Sequence, residues 1–91
     1  MVINSVWNNI IKNAGEKFYT KRDRIEFHYT VDGDEIQPYP INGSNIYKIS
    51  KTTLEKVLEN HMPLVKTTQI SRIFRAPSYI FAIMTDKRIV Q

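Results

Sequence analysis

The chain is 91 residues long, the size of one domain. Hydrophobic residues make up 42% and charged residues 24%, a folded rather than a disordered mix, and the net charge is +4. It has no cysteine, which excludes disulfides and cysteine-held zinc or iron–sulfur groups.

A domain this short buries only about 60–65% of the surface its unfolded chain exposes, so stability must come from ordinary packing or from a partner subunit. The longest apolar run, Tyr79–Met84, is six residues, against the roughly 20 a membrane span requires. The N-terminal stretch lacks a basic region leading into an apolar run and a cleavage site. With the absence of cysteine, this gives the expectation of a cytoplasmic protein with no membrane partner. The charge is unevenly placed. Residues 1–60 are neutral, whereas residues 61–91 carry Lys66, Arg72, Arg75, Lys87 and Arg88 against Asp86 alone. A one-sided excess points to an anionic partner more than a uniform one does, though a solvated basic surface has the same composition.

In chain order, Val2, Ile3, Val6, Trp7, Ile10, Ile11 and Ala14 recur at three- and four-residue intervals and predict an amphipathic helix. Asn4 or Ser5 can cap its start and Gly15 suits its end. Asn8, Asn9, Lys12 and Asn13 fall on the opposite, polar face. Glu16–Thr20 then reads as a strand, followed by the charged turn Lys21-Arg22-Asp23-Arg24. Ile25, Phe27, Tyr29 and Val31 alternate with Glu26, His28 and Thr30, which predicts a strand with one buried face. Asp32-Gly33 is a hairpin signal, and Glu35–Gln37 returns as a short strand that Pro38 and Pro40 make an edge or end. Ile41–Asn45 is loop, and Ile46–Ile49 is a further short strand.

A second helix is expected from near Ser50. Thr52 with Glu55 gives it a capping box, Leu54, Val57, Leu58 and Met62 its apolar stripe, and Pro63 its end. In the tail, Thr67 or Thr68 can cap a short helix through Phe74 with Ile70 and Ile73 inward. Residues 79–85 fit either helix or strand; a cap at Ser78 and the Asp86-Lys87-Arg88 ending favour helix. The fold expected is α+β. An N-terminal helix, a small antiparallel β-meander, a second helix and a mostly helical tail pack in two layers, with Trp7, Phe27, Leu54 and Ile80 in one core.

Catalysis finds little footing. A nucleophile–base pair would need Ser or Thr beside His28 or His61. His28 lies on the polar face of a strand, and His61 sits where a cation complements a helix C-terminus. Asp32, Asp34 and Glu35 surround Gly33 but lack the further ligands of a calcium loop, and three glycines leave no phosphate-binding loop. No enzymatic activity, cofactor or metal is therefore expected. The tail carries the one binding logic. Two short helices about the turn near Arg75 would share Ile70, Ile73, Ile80 and Ile83, as in a helix-turn-helix, and the second would expose Tyr79, Ala82, Thr85 and Lys87 or Arg88.

The segment Pro77-Ser78-Tyr79-Ile80-Phe81-Ala82-Ile83-Met84-Thr85-Asp86-Lys87-Arg88-Ile89 resembles the closing helix of small bacterial helix-turn-helix DNA-binding domains, including those of serine recombinases. It departs from them in having Phe74 or Arg75 where a small turn residue is usual. Separately, Ala14-Gly15-Glu16-x-Phe18-x-Thr20-Lys21, Phe27-x-Tyr29-x-Val31-x-Gly33 and Pro77-Ser78-Tyr79-Ile80 resemble small uncharacterised bacterial α+β proteins, a resemblance that implies no activity. The leading expectation is a non-enzymatic nucleic-acid-binding domain. Arg72, Arg75, Lys87 and Arg88 would hold phosphates while Tyr79 and Thr85 face the groove. The alternative is a protein-interaction module or homodimeric accessory protein of a phage or mobile element, with Tyr39 and Tyr47 as candidate contact aromatics.

Overall fold

The computed structural model describes residues 3–21, 23–39, 48–74 and 76–90. The expectations at Val2, Pro40, Ile41–Asn45, Ile46, Tyr47, Arg22 and Arg75 lie outside the described residues. The order of elements is α1 (Ile3–Lys12), β1 (Phe18–Tyr19), β2 (Glu26–Asp32), β3 (Glu35–Tyr39), β4 (Ile49–Ser50), α2 (Lys51–Asn60), a 3₁₀ turn (Thr67–Gln69) and α3 (Pro77–Met84). The four strands pair antiparallel in sequence order, β1-β2-β3-β4, so the fold is α+β, as expected.

The sheet is built on the period of two. Phe18 stands opposite Phe27, Tyr29 opposite Pro38, Val31 opposite Ile36, and Ile36 opposite Ile49. All point to one face, where they join residues of the three helices in a single apolar cluster that includes Trp7, Phe27, Leu54 and Ile80. The other face carries Tyr19, Glu26, His28, Thr30, Gln37 and Tyr39. Pro38 is tolerated inside β3 because β4 pairs only with Glu35 and Ile36, leaving the strand an edge farther along. Gly33 supplies the positive φ (61°) of the hairpin.

Val6, Trp7 and Ile10 of α1 are buried, as the stripe predicts. Ile11, placed in the same stripe, is instead 49% exposed, and Ala14 is exposed as well. The buried arc is thus narrower than the apolar one. Asn9, assigned to the polar face, is half-buried and its amide donates to the Ile89 carbonyl at 3.0 Å. At the helix end Gly15 adopts φ +87°, and its N–H donates to the Tyr29 carbonyl at 3.0 Å. A Cβ there would meet nothing within 4 Å, so the backbone angle and not space sets the preference for glycine.

Several local expectations are corrected. Ile25 is 53% exposed rather than buried. It lies next to the β1–β2 turn, which Thr20 closes through bonds with Arg24 and Ile25, and Arg24 takes φ 51°. Ile25 thus borders a shallow groove with Thr20, Pro77 and Tyr79, on the margin of the helical cover. The cap of α2 is Ser50, whose hydroxyl accepts from the Thr53 N–H at 3.1 Å, and not Thr52. In the tail, the Gln69 side-chain carbonyl accepts from the N–H groups of Val65 and Lys66 at 2.6 and 2.8 Å. This tightens the segment into one 3₁₀ turn where a helix through Phe74 was expected; Ile70 is buried but Ile73 is 58% exposed. Residues 77–84 are helical, starting at Pro77 after Ala76 in the left-handed region (φ 52°), not at a Ser78 cap.

Tyr29 ties the layers together. Its ring is buried against Phe18 at 5.3 Å, and its hydroxyl donates to the Ile10 carbonyl at 2.6 Å, a group near the C-terminus of α1 where carbonyls lack helical partners. Burial pushes the phenol well above its ordinary pKa. Tyr29→Phe should lower stability by about 1–2 kcal/mol in urea titration, the cost of an unsatisfied buried acceptor. Tyr19→Phe, on the exposed face, should change it by less than about 0.5 kcal/mol.

Candidate nucleic-acid interface

The residues chosen from the sequence are dispersed by the fold. Ile80 to Met84 of α3 are all buried, including Ala82 at 2% exposure. Ala82 was expected to be exposed on a reading helix; a helix apolar on every side is instead a core element. Tyr79 packs edge-on against Phe27 at 4.8 Å, and the Thr85 hydroxyl donates to the Phe81 carbonyl at 2.6 Å. Both residues are half-buried. Arg72 is exposed on the turn that follows the 3₁₀ segment, and Arg75 lies outside the described residues. Among the described residues a 3₁₀ turn stands in place of the first tail helix and α3 buries Ile80 to Met84, so the pair of helices expected for a helix-turn-helix is not seen there.

Lys87 and Arg88 are placed differently. After α3 the chain makes a turn, with Ile89 N–H donating to the Asp86 carbonyl at 3.0 Å and the Ile89 side chain fully buried. The Asp86 carboxylate accepts from the Arg88 backbone N–H, Nε and Nη2, each at 2.9 Å. Arg88 Nη2 also donates to the Lys17 carbonyl at 3.0 Å, and its guanidinium carbon lies 4.1 Å from the Phe18 ring centroid. A planar cation thus forks onto a carboxylate while stacking on an aromatic face, a geometry lysine cannot reproduce. The hydrogen bonds from the Arg88 side chain hold the Asp86 carboxyl below its ordinary pKa despite burial, and the charges of Arg88 and Lys21 act in the same direction. The same bond holds Arg88 protonated more firmly than usual.

This clamp joins the C-terminal turn to β1 and so to the β1–β2 loop. Lys17 is touched directly, Lys21 is near enough for its charge to act on Asp86, and Lys87 is exposed beside Arg88. Tyr19, Thr20, Lys21 and Arg24 line an open recess of about 500 Å³. The charge of Glu16 acts on Arg88, so Glu16, Lys17 and Lys21 of the first strand region lie near the C-terminal turn. The sequence gave no sign of this proximity, since the two segments are far apart in the chain. His28 lies on the open face of the sheet, its ring stacked on Tyr39 at 5.5 Å and 14°. His61 meets Phe74 edge-on at 5.7 Å. No hydroxyl bonds either histidine among the described residues, and no three His, Asp or Glu side chains converge there as a metal site requires. No helix among them is long and apolar enough to cross a membrane.

Comparison with protein-family models, curated proteins and solved structures finds no match.

The Asp86–Arg88 pair predicts a pH effect. A carboxyl with a lowered folded pKa contributes stability above the ordinary aspartate value near 3.9, and that contribution is lost as pH falls through the lowered one. Because Arg88 is 41% exposed, solvent screening limits the contribution to about 0.5–1 kcal/mol. Asp86→Asn should be less stable than wild type by that amount at pH 7 in urea titration, and the two should converge towards pH 2.

Proposed function

We propose that this protein is a non-enzymatic nucleic-acid-binding domain whose contact surface joins the C-terminal turn to the β1–β2 loop. The observation that carries the reading is the bond from Arg88 to the Lys17 carbonyl. It holds the C-terminal turn, with exposed Lys87, against the start of β1, where Lys17 is exposed and the charge of Lys21 reaches Asp86. Flexible cations so grouped suit phosphates, and each contact releases a counterion. Arg88 takes a supporting part, since two of its three nitrogens are engaged internally. Arg72, exposed on the turn before α3, is a flanking phosphate contact, and Arg75 follows it by three residues in the sequence. Tyr79 and Thr85 are left out of the surface because their partners are internal.

A protein-interaction module, as a homodimer or accessory protein, is favoured by one observation: Val65 and Ile73 are 71% and 58% exposed. Binding of a labelled 12-nucleotide strand and of a 12-base-pair duplex, followed by fluorescence anisotropy at several salt concentrations, separates the two. The expected result is binding that weakens steeply with salt. Lys21→Ala with Lys87→Ala should reduce the slope by about 0.7 per lost phosphate contact on single strands and about 0.9 on duplex, on all sequences alike. Stability should change by less than about 0.5 kcal/mol. Absence of binding at low salt, or binding indifferent to salt, overturns the reading, and concentration-dependent dimerisation lost in Ile73→Ser would then support the alternative.

A further inference from the structure

The open face of the sheet has no part in the core yet carries three aromatic rings. Tyr19 on β1 stands opposite Glu26 of β2, His28 follows two residues along β2, and Tyr39 of β3 stands opposite His28. All share the outward parity. Tyr19 is 51% exposed and His28 is exposed, so their burial adds little to the fold. The rings of His28 and Tyr39 are parallel to within 14°, with centroids 5.5 Å apart. Tyr19 belongs at once to this face and to the recess lined by Lys21 and Arg24.

We propose that the ligand is a single-stranded nucleic acid whose bases stack on Tyr19, His28 and Tyr39 while its phosphates meet Lys21 and Arg24. The proposal rests on the nucleic-acid reading above and adds the class of ligand and the platform that takes its bases. Every base has a flat π-face, so exposed rings beside cations bind single strands with little dependence on sequence. A duplex keeps its bases paired and stacked internally and offers nothing to such a platform. The recess of about 500 Å³ beside Tyr19 lies within the range of small-ligand pockets. The carboxylates of the face give the strand its polarity. Glu26 lies between Tyr19 and His28 along the sheet, and Asp32 and Glu35 face each other at the hairpin end. They repel phosphates and accept hydrogen bonds from the N–H groups of bases, the ring N3–H of thymine and uracil among them. Bases therefore lie over the sheet and the backbone runs along the β1–β2 loop.

The test uses the folded chain with labelled 12-nucleotide strands of thymidylate DNA and of uridylate RNA, and a 12-base-pair duplex, at fixed low salt. The expected result is tighter binding of the single strands than of the duplex. Tyr19→Ala should weaken single-strand binding at least about fivefold, with no change in the salt slope, while Tyr19→Phe retains affinity. Lys21→Ala should instead reduce the slope by about 0.7. His28→Ala with Tyr39→Ala should weaken binding further; Tyr19 pairs with one exposed residue alone, so its variants keep the test valid if the double variant fails to fold. A preference between the DNA and RNA strands identifies the natural source. If strands and duplex bind equally and Tyr19→Ala changes nothing, the stacking proposal falls while the nucleic-acid reading stands. If nothing binds, both fall.

Discussion

Five consecutive buried residues, Ile80 to Met84, make α3 the pillar on which the other elements lean. A short helix gains little stability from its own backbone, and this one persists because Ile80 to Met84 are all packed. It shares the core with Phe27 and Tyr29 of the sheet, Trp7 of α1 and Leu54 of α2. The side chains of Ile80 to Met84 are therefore closed to any partner, whereas residues on the outer face of the sheet, in the β1–β2 loop and in the turn after the helix stay exposed.

The Asp86–Arg88 pair shows how the turn is held without many apolar residues to hold it. Ile89 anchors it from below, and from above Arg88 reaches both the Lys17 carbonyl and the face of Phe18. A lone exposed ion pair contributes little. Here the guanidinium also bonds a backbone carbonyl and stacks on a ring, so the charge acts as a strut between the chain's end and its first strand. Asn9 makes a second link, from α1 to the Ile89 carbonyl. Both links join residues far apart in the chain, and they set the C-terminal turn against α1 and the start of β1.

The elements that could be read from the sequence are those where one local signal is strong. Alternation from Phe27 to Val31, the glycine after Asp32 and the apolar stripe of Leu54 and Val57 each specify a period or a turn by themselves, whereas the six apolar residues from Tyr79 to Met84 fit helix and strand alike. The failures occur where two local signals compete or where a tertiary contact decides. Ser50 and Thr52 are both good caps, and the short β4 pairing ahead of Lys51 fixes the helix start at the first of them. Ile70 and Ile73 have helical spacing, but Gln69 folds its amide back onto Val65 and Lys66 and shortens the helix to a turn. Of the residues assigned to binding, Lys87 stays exposed while Tyr79 and Thr85 turn inward. Their orientation depends on where α3 sits in the molecule, which no spacing in the tail encodes. The meeting of Lys17 and Lys21 with the tail is likewise a product of topology.

The sheet divides these demands between its two faces. Its inner face is continuous with the helices, from Phe18 through Tyr29 to Ile36, and any charge there would be buried without a partner. On the outer face the same strands place Tyr19, His28 and Tyr39 one strand apart, where rings cost the fold little and add cross-strand contact. Aromatic rings at those positions are free of the packing constraint that fixes Phe18 and Phe27. A period of two therefore lets one short stretch of chain build the core with alternate residues and an exposed, aromatic-bearing face with those between.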